Sequence, residues 1–302
     1  MILSYVLLAA LLVAGILAAG EIRWRAGTRR LRAELQAARR PVAPGVFDSG
    51  ELESLPAPVR RYFRAVLTKG QPMVAGVNLH HTGSINLAEA GERWKPFAST
   101  QLIIAQRPGF DWDAKIRLLP GVSVRVHDAY VAGEGILRAE VYGLVSQANL
   151  RGRGELARGE LMRYLAEGAW YPTALLPSQG VAWTAVDDRS ARATLQDGVN
   201  SVTLLFRFGE DGPIDSIRAE ARGRMSGNRV VLAPWVGRFW NHAWRHGMRV
   251  PLNGEVAWAW PEGLRPYWRG QIRQLSYEFA RPAPPAAHAP TTGAREPTLS
   301  AA

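Results

Sequence analysis

The sequence contains no cysteine among its 302 residues. This absence excludes a disulfide framework, a thiolate metal site and a cysteine nucleophile. There is also no glycine-rich phosphate loop, and no Gly-x-Ser-x-Gly motif that would mark a serine hydrolase. His242 and His246 have the spacing of a helical metal pair, but they lie in a predicted strand and turn, where residues four apart are separated by about 13 Å. We therefore expect no metal ion, no cofactor and no catalytic residue.

Negative charge is scarcer than positive charge, with 26 acidic residues against 37 basic ones and a net charge of +11. Much of the excess lies in residues 21–40, which contain seven arginines and two glutamates. The basic segment is not accompanied by a helix-turn-helix pattern, an RNP-like aromatic stretch or a Gly-Lys-rich loop. We therefore expect no nucleic-acid partner.

One long apolar run extends from Ile2 to Ala19 without a charged residue. A run of about 18 residues is at the lower edge of what spans a bilayer as a helix, so we predict a single-pass anchor in the cell inner membrane. A cleaved signal peptide is the competing interpretation, but no basic residue precedes the run and its apolar core is long for a signal peptide. Because the arginines follow the run, the positive-inside rule places the following domain in the cytoplasm rather than the periplasm.

The arginines after the run are predicted to lie on a juxtamembrane helix. We expect anionic lipid headgroups to bind Arg23, Arg25, Arg29, Arg30 and Arg32, each contributing about 1 kcal/mol. The alternative is a solvated helix whose charges only set the membrane orientation. The predicted organisation is a transmembrane anchor at 1–20, a basic juxtamembrane helix and linker at 21–50, a β-rich domain at 51–280 and a disordered tail rich in proline, alanine and threonine at 281–302.

Hydrophobic periodicity predicts a mainly β fold of the α+β class. Val59, Tyr62, Phe63, Val66 and Leu67 form the apolar stripe of a short helix. From residue 77 the period changes to two, and residues 110–117 alternate strictly between apolar and charged side chains. About eleven strands, two packing helices and no βαβ rhythm indicate a large, curved antiparallel sheet or half-barrel, with the helices against its concave side.

The most unusual segment is residues 168–186, which contains no charged residue although 21% of the chain is charged. A segment this apolar and with two prolines is too irregular for a membrane span, so we expect it to be buried or to line a pocket. Ordinary core packing is the alternative for its aromatic residues and for the tryptophans elsewhere. The candidate ligand-binding residues are Trp112, Trp170, Tyr171, Leu175, Leu176, Trp183, Trp235, Trp240 and Trp258.

The helix predicted just before this segment carries charged residues at helical spacing. Glu155, Arg158, Glu160, Arg163 and Glu167 are three and four residues apart, which favours ion pairs on an exposed helix face. The alternative is acid–base chemistry beside a pocket. The first functional hypothesis is accordingly a membrane-anchored domain that binds an apolar ligand such as a lipid. The alternatives are an enzyme that uses the polar groups of this helix and the following loop, and an interaction scaffold.

Four segments together resemble a bacterial family known only as a domain of unknown function, often membrane-anchored. They are residues 55–63 (LPAPVRRYF), 94–97 (WKPF), 155–167 (ELARGELMRYLAE) and 170–178 (WYPTALLPS). The resemblance covers residues 55 to 279 and implies no activity, so it assigns no catalytic residue. The expected curved sheet is also similar to that of periplasmic lipoprotein carriers, which hold acyl chains against a concave apolar sheet; this likeness is one of fold alone.

Overall fold

Thirteen strands form one antiparallel sheet in a computed structural model that describes residues 1–43, 45–88, 91–226 and 229–280. The strands are β1 (Val74–Asn86), β2 (Trp94–Ile104), β3 (Gly109–Leu119), β4 (Val122–Val131), β5 (Glu134–Val141), β6 (Val145–Gly152), β7 (Val181–Asp187), β8 (Ser190–Asp197), β9 (Asn200–Phe208), β10 (Ile214–Ser226), β11 (Arg229–Arg245), β12 (Met248–Trp260) and β13 (Gly263–Phe279). The helices are α1 (Ile2–Ala37), α2 (Ala57–Val66) and α3 (Glu155–Glu167). Short 3₁₀ turns occur at Ser49–Leu52, Gly168–Trp170, Pro172–Leu175 and Pro177–Gln179.

The sheet consists of two meanders that are joined where β1 pairs with β13. Its strand order is β6-β5-β4-β3-β2-β1-β13-β12-β11-β10-β9-β8-β7. The edge strands β6 and β7 are connected by α3 and the 3₁₀ turns, and α3 contacts strands of both meanders, including β5, β9 and β10. Because both halves contact the same helix, the sheet curves around α3. The predicted mainly β, curved antiparallel fold is confirmed, with thirteen strands rather than about eleven.

The apolar residues of the alternating pattern on β3 and of the helical stripe on α2 lie in the core, as predicted. On β3, Phe110, Trp112 and Ile116 are buried on the concave side. On α2, Val59 and Phe63 are fully buried, and Pro58 lies in the first turn of the helix, where its missing N–H group is not needed. These elements form one large hydrophobic cluster together with α3 and the 3₁₀ turns.

The N-terminal helix is longer than the predicted anchor, because α1 continues without interruption through residue 37. Its second half lies on the convex face of the sheet, where Trp24 is fully buried. The indole of Trp24 donates a hydrogen bond to Asp113 (3.0 Å) and stacks on His127 with ring centroids 4.6 Å apart. Leu35 is fully buried in a second, smaller hydrophobic cluster with Ile104 and neighbours. The segment predicted as a juxtamembrane helix is therefore packed against the sheet.

The same contacts do not support the expectation that the arginines of α1 bind lipid headgroups. Arg32 pairs with the fully buried Asp111 (2.8 Å), whose carboxylate also contacts Nδ1 of His127 at 2.6 Å. Arg23 pairs with Glu140 (2.6 Å), and Arg25 pairs with Glu21 on its own helix (2.8 Å). Arg32 also lies about 18 Å along the helix from residue 20, at 1.5 Å per residue, so it is far from the predicted span.

Arg29 and Arg30 of the same group are exposed.

The segment predicted as a linker is partly folded, since Phe47 is buried and Val46 forms a bridge with Pro72. The predicted tail at 281–302 lies outside the described residues.

A candidate ligand-binding cavity

A cavity of about 100 Å³ lies between α3 and the concave face of the sheet. One of its walls is aromatic and consists of Trp112, Trp170, Trp235, Phe239, Tyr267 and Trp268. The other is charged and includes Asp128, Arg163, Glu167, Arg222 and Glu255. The interior is therefore not the purely apolar pocket that the sequence predicted.

Close backbone approach brings α3 to this position. A Cβ atom built on Gly135 of β5 would lie 2.7 Å from the carbonyl carbon of Leu156 at the start of α3, so only glycine permits this contact. Gly270 of β13 likewise leaves room for the aromatic wall, because a Cβ atom there would overlap the indole ring of Trp268. Trp268 also stacks on Phe97, with ring centroids 5.7 Å apart.

Two irregularities in strand pairing turn additional side chains into the cavity. Between β12 and β13, Val256 pairs with Trp268 and Ala257 with Pro266. Tyr267 of β13 is therefore an unpaired bulge residue, and it lines the cavity beside Trp268. On β10, the pairing with β11 shifts by one residue between Ala219 and Arg222. A one-residue shift moves the following side chains to the opposite face of a strand, and Arg222 is accordingly buried.

Arg163 of α3 is the centre of the charged wall. Its Nη1 donates to Oδ2 of Asp128 (2.6 Å), and its Nε donates to Oε1 of Glu167 (2.7 Å). The other oxygen of Glu167 accepts a hydrogen bond from Gln101 at 2.6 Å. The guanidinium also lies 5.1 Å from the centre of the Trp112 ring, a cation–π distance. Two carboxylates from different elements are thus paired with one buried cation.

Arg222 connects the charged and the aromatic walls. It donates to the hydroxyl of Tyr267 (3.2 Å), which also accepts a hydrogen bond from the indole of Trp235 (2.9 Å). Its guanidinium is 3.6 Å from Oε1 of Glu160, and Glu160 is almost fully buried. Burial, and after it the nearby Asp128 carboxylate, raise the pKa of Glu160 to about 8, although Arg222 and Arg163 act in the opposite direction. Glu160 is therefore largely protonated at neutral pH.

Three of the charged residues of α3 do not lie on the exposed helix face that was predicted for them. Glu155 and Arg158 form the expected exposed ion pair at 2.9 Å. Glu160, Arg163 and Glu167, in contrast, face the interior and not the solvent. The spacing correctly indicated the Arg163–Glu167 pair, but spacing alone does not show which helix face the sheet covers.

Several buried polar groups around the cavity have no partner among the described residues. The indole N–H groups of Trp112 and Trp170 have no acceptor there, and neither ring nitrogen of His81 has a partner. His81 lies against Trp170, with ring centroids 5.0 Å apart, and burial lowers its pKa to about 3. The neutral imidazole and the two indoles give this part of the interior hydrogen-bonding capacity in apolar surroundings.

The nine candidate residues occupy four different environments. Trp112, Trp170 and Trp235 line the cavity. Tyr171, Leu175 and Leu176 are buried in the core, and Trp183 is half-buried against Phe63 and Phe206, so these four support the cavity without lining it. Trp258 lines a neighbouring groove between β12, β13 and the hairpin of β1 and β2. Trp240 is 46% exposed, because Trp235 and Phe239 share the inner face of β11 and residue 240 points to the other side.

The prediction for residues 168–186 is correct for the first half of that segment. Trp170, Tyr171, Leu175 and Leu176 are at most 3% exposed. The second half belongs to β7, an edge strand on which Val186 is exposed.

Residues that sequence reasoning missed include Asp128, Arg222, Phe239, Tyr267 and Trp268. A signal for Asp128 was present, because it continues the face of β4 that carries Val124 and Val126. The position of Arg222 depends on the bulge, and a strict period of two assigned it to the outer face. Tyr267 also depends on a bulge, and a single sequence does not reveal where strands change register.

The family of this chain is shown by its sequence. A model of a family of unknown function, DUF6920, matches residues 53–277, which is more than half of the chain. The chain belongs to this family. The resemblance predicted over residues 55–279 is therefore confirmed, and the DUF6920 match includes all of the cavity wall. No curated protein matches the sequence.

Solved structures similar to this member of DUF6920 include two bacterial proteins. A LolA superfamily protein from Nitrosomonas europaea is 12% identical, with a TM-score of 0.30, and the match covers 75% of this chain and 93% of that one. A beta-barrel-like protein of the family DUF1849 from Brucella abortus is 10% identical, with a TM-score of 0.16, and the match covers 68% of this chain and 99% of that one.

Proposed function

We propose that this protein is a membrane-anchored binding protein for an apolar or amphiphilic ligand, such as a lipid, that occupies the cavity. The observation that supports this most directly is the aromatic wall, in which six aromatic side chains line one space. Such side chains offer a large apolar contact area at a low entropy cost. The N–H groups of Trp112 and Trp170 provide donors for an ester or carboxyl oxygen of the ligand.

The size of the cavity suits only part of a ligand. About 100 Å³ is less than the roughly 150 Å³ of an apolar cavity that binds benzene, so this cavity accommodates the end of a chain. Tyr267 also lines an adjacent groove of about 450 Å³, between β12, β13 and the hairpin of β1 and β2. We propose that a longer ligand extends past Tyr267 into this groove, where Trp258 and Trp260 provide further apolar surface.

Ligand binding is favoured over the two alternative functions, an enzyme and an interaction scaffold, by the ion pairing of the carboxylates and by the space inside the protein. An enzyme that used α3 would need a carboxyl group that can exchange protons with a substrate in the cavity. Glu167 of α3 and Asp128 of β4 are both held by Arg163, and Glu160 is not among the residues that line the cavity. A scaffold would need no internal space, whereas here a cavity and a groove meet at Tyr267.

Membrane anchoring is proposed from α1. This helix is long and apolar enough to cross a membrane, and its first 18 residues or so would span about 27 Å at 1.5 Å per residue. The arginines after the apolar run support a cytoplasmic location of the domain at the inner membrane, as predicted from the positive-inside rule.

Filling the cavity tests the proposed function with little risk to the fold. Gly254 lines the cavity, and a Cβ atom there would lie 3.5 Å from its nearest neighbour, an ordinary contact. We expect Gly254→Val to place its side chain in the cavity and to remove most of the ligand that copurifies with the full chain. The measurement is mass spectrometry of solvent extracts from equal amounts of purified protein.

The matched control is Gly152→Val at the end of β6, where a Cβ atom would meet no neighbour within 4 Å. Both variants retain α1, so lipid held around the anchor is the same in each. Equal amounts of extracted ligand from the two variants, or no apolar molecule in the unsubstituted protein beyond that in the detergent blank, would contradict the proposal.

A further inference from the structure

Four neighbouring hairpin turns lie along one part of an edge of the sheet, and the same edge continues to the hairpin of β8 and β9. Their closing strand pairs are Asn86↔Trp94, Leu119↔Val122, Val141↔Val145 and Trp260↔Gly263. The first three hairpins belong to one meander and the fourth to the other, and β1 and β13 join them through pairs such as Ile85↔Trp268. We call this part of the edge the rim, and define it by residues 87–88, 91–93, 120–121, 142–144 and 261–262.

The N-terminal helix meets the sheet at the rim. Gly20 lies against the carbonyl oxygen of Tyr142, and Arg23 donates from Nε to the carbonyl oxygen of Gly143 (2.9 Å). From there α1 runs away from the rim across the convex face, past Asp113, and reaches Gly109 through Leu35. Since α1 is one continuous helix, its apolar residues before Gly20 extend beyond the rim on the opposite side. A bilayer spanned by these residues therefore faces the rim.

The composition of the rim suits a bilayer surface. Exposed apolar side chains flank its turns at Leu87, Leu119, Val145 and Leu264. Single exposed residues of this kind are ordinary, but these share one edge with two arginine–tryptophan stacks. Arg224 and Arg265 lie 5.2 and 5.7 Å from the ring of Trp260. Tryptophan and arginine together are typical of the layer between headgroups and acyl chains.

The groove that continues the cavity opens at the same place. It is lined by Leu87 and Ala88 next to the first turn, by Trp260 and Leu264 on either side of the fourth, and by Tyr267 at its inner end. A molecule leaving the cavity past Tyr267 therefore emerges at the rim.

We propose that the rim lies in the headgroup layer of the bilayer that α1 spans, and that the groove opens directly onto lipid. A lipid acyl chain would then enter the cavity without crossing water, while Arg224 and Arg265 contact its phosphate. This inference rests on the proposed membrane anchoring, but it adds a second membrane contact made by the sheet.

The absence of native cysteine allows single fluorophores to be placed on the full chain. Val145→Cys and Leu264→Cys place one at each end of the rim, and Leu12→Cys places one in the apolar run. Val199→Cys is the matched control. Val199 is 86% exposed in the turn between β8 and β9, farther along the curved edge, where its neighbour Asn200 bonds to Gly133 in the turn between β4 and β5, at the opposite end of the strands of the first meander. Each variant is labelled with the dye NBD and reconstituted into vesicles of phosphatidylcholine and phosphatidylglycerol containing a shallow spin-labelled lipid.

We expect blue-shifted emission and several-fold stronger quenching at positions 145 and 264 than at position 199. Quenching at 145 and 264 no stronger than at 199, with position 12 in the bilayer, would overturn the rim contact and leave the anchor intact. Quenching at 145 alone would show that only the part next to α1 approaches the membrane, and would overturn the opening of the groove onto lipid. A water-exposed signal at position 12 would overturn the anchoring and the rim contact together, whereas the ligand in the cavity is tested separately by Gly254→Val.

Discussion

Replacing Arg163 by methionine should lower the free energy of unfolding by about 3–5 kcal/mol, because it strands two carboxylates in the interior. Asp128 and Glu167 lie 2.6 and 2.7 Å from the guanidinium, and the side chain of Arg163 is only 15% exposed. Methionine preserves most of the apolar stem, so the loss reports the charge. The measurement is equilibrium denaturation of the full chain in detergent micelles.

The same helix provides the control for this prediction. Arg158→Met removes an exposed ion pair with Glu155 and should cost less than about 1 kcal/mol. Adding Asp128→Leu and Glu167→Leu to Arg163→Met should restore much of the lost stability, since the stranded charges are then gone. If Arg163→Met and Arg158→Met are equally mild, the charged wall is not a buried cluster.

Replacing Glu160 by glutamine should remove the pH dependence that the Glu160 carboxyl group gives to the free energy of unfolding. The pKa of Glu160 is raised to about 8 in the folded protein, against an ordinary value of 4.5, so the folded state holds a proton that the unfolded state releases between these pH values. Stability contributed by this site is therefore present below pH 4.5 and is lost progressively as the pH rises to about 8. At about 1.4 kcal/mol per pKa unit, the total is on the order of 5 kcal/mol.

Glutamine is neutral throughout this range, so the stability of Glu160→Gln should exceed that of the unsubstituted protein increasingly from pH 5 to pH 8. Denaturation midpoints and slopes measured at several pH values show this difference directly. Glu155→Gln, which changes an exposed carboxylate on the same helix, should parallel the unsubstituted protein. A Glu160→Gln curve that also runs parallel would mean that Glu160 is ionised in the folded state at neutral pH.

Much of the fold could be predicted because local patterns determine it. The alternation on β3 and the stripe on α2 depend only on residues close in sequence, and both are buried as expected. The uncharged segment that contains Trp170 likewise indicated burial, since no solvent-facing stretch of that length needs to be so apolar.

The charged half of the site depends on contacts between distant residues. Asp128 reaches Arg163 across 35 positions, and Arg222 meets Tyr267 across 45. Arg222 faces inward only because of the bulge after Ala219, where the facing strand contains Pro234, which has no N–H group for the ladder. The position of Trp24 could not be predicted from the sequence either, because a tryptophan after an apolar run suits a membrane interface as well as the convex face of a sheet.

The central claim is that the space between α3 and the aromatic wall holds an apolar ligand. An experimental structure of the full chain, purified in lipid nanodiscs, tests this most directly. We expect elongated density between Trp170 and Trp268 that continues past Tyr267 into the groove. A cavity filled only by water hydrogen-bonded to Trp112 and Trp170, or closed by the surrounding side chains, would contradict the claim.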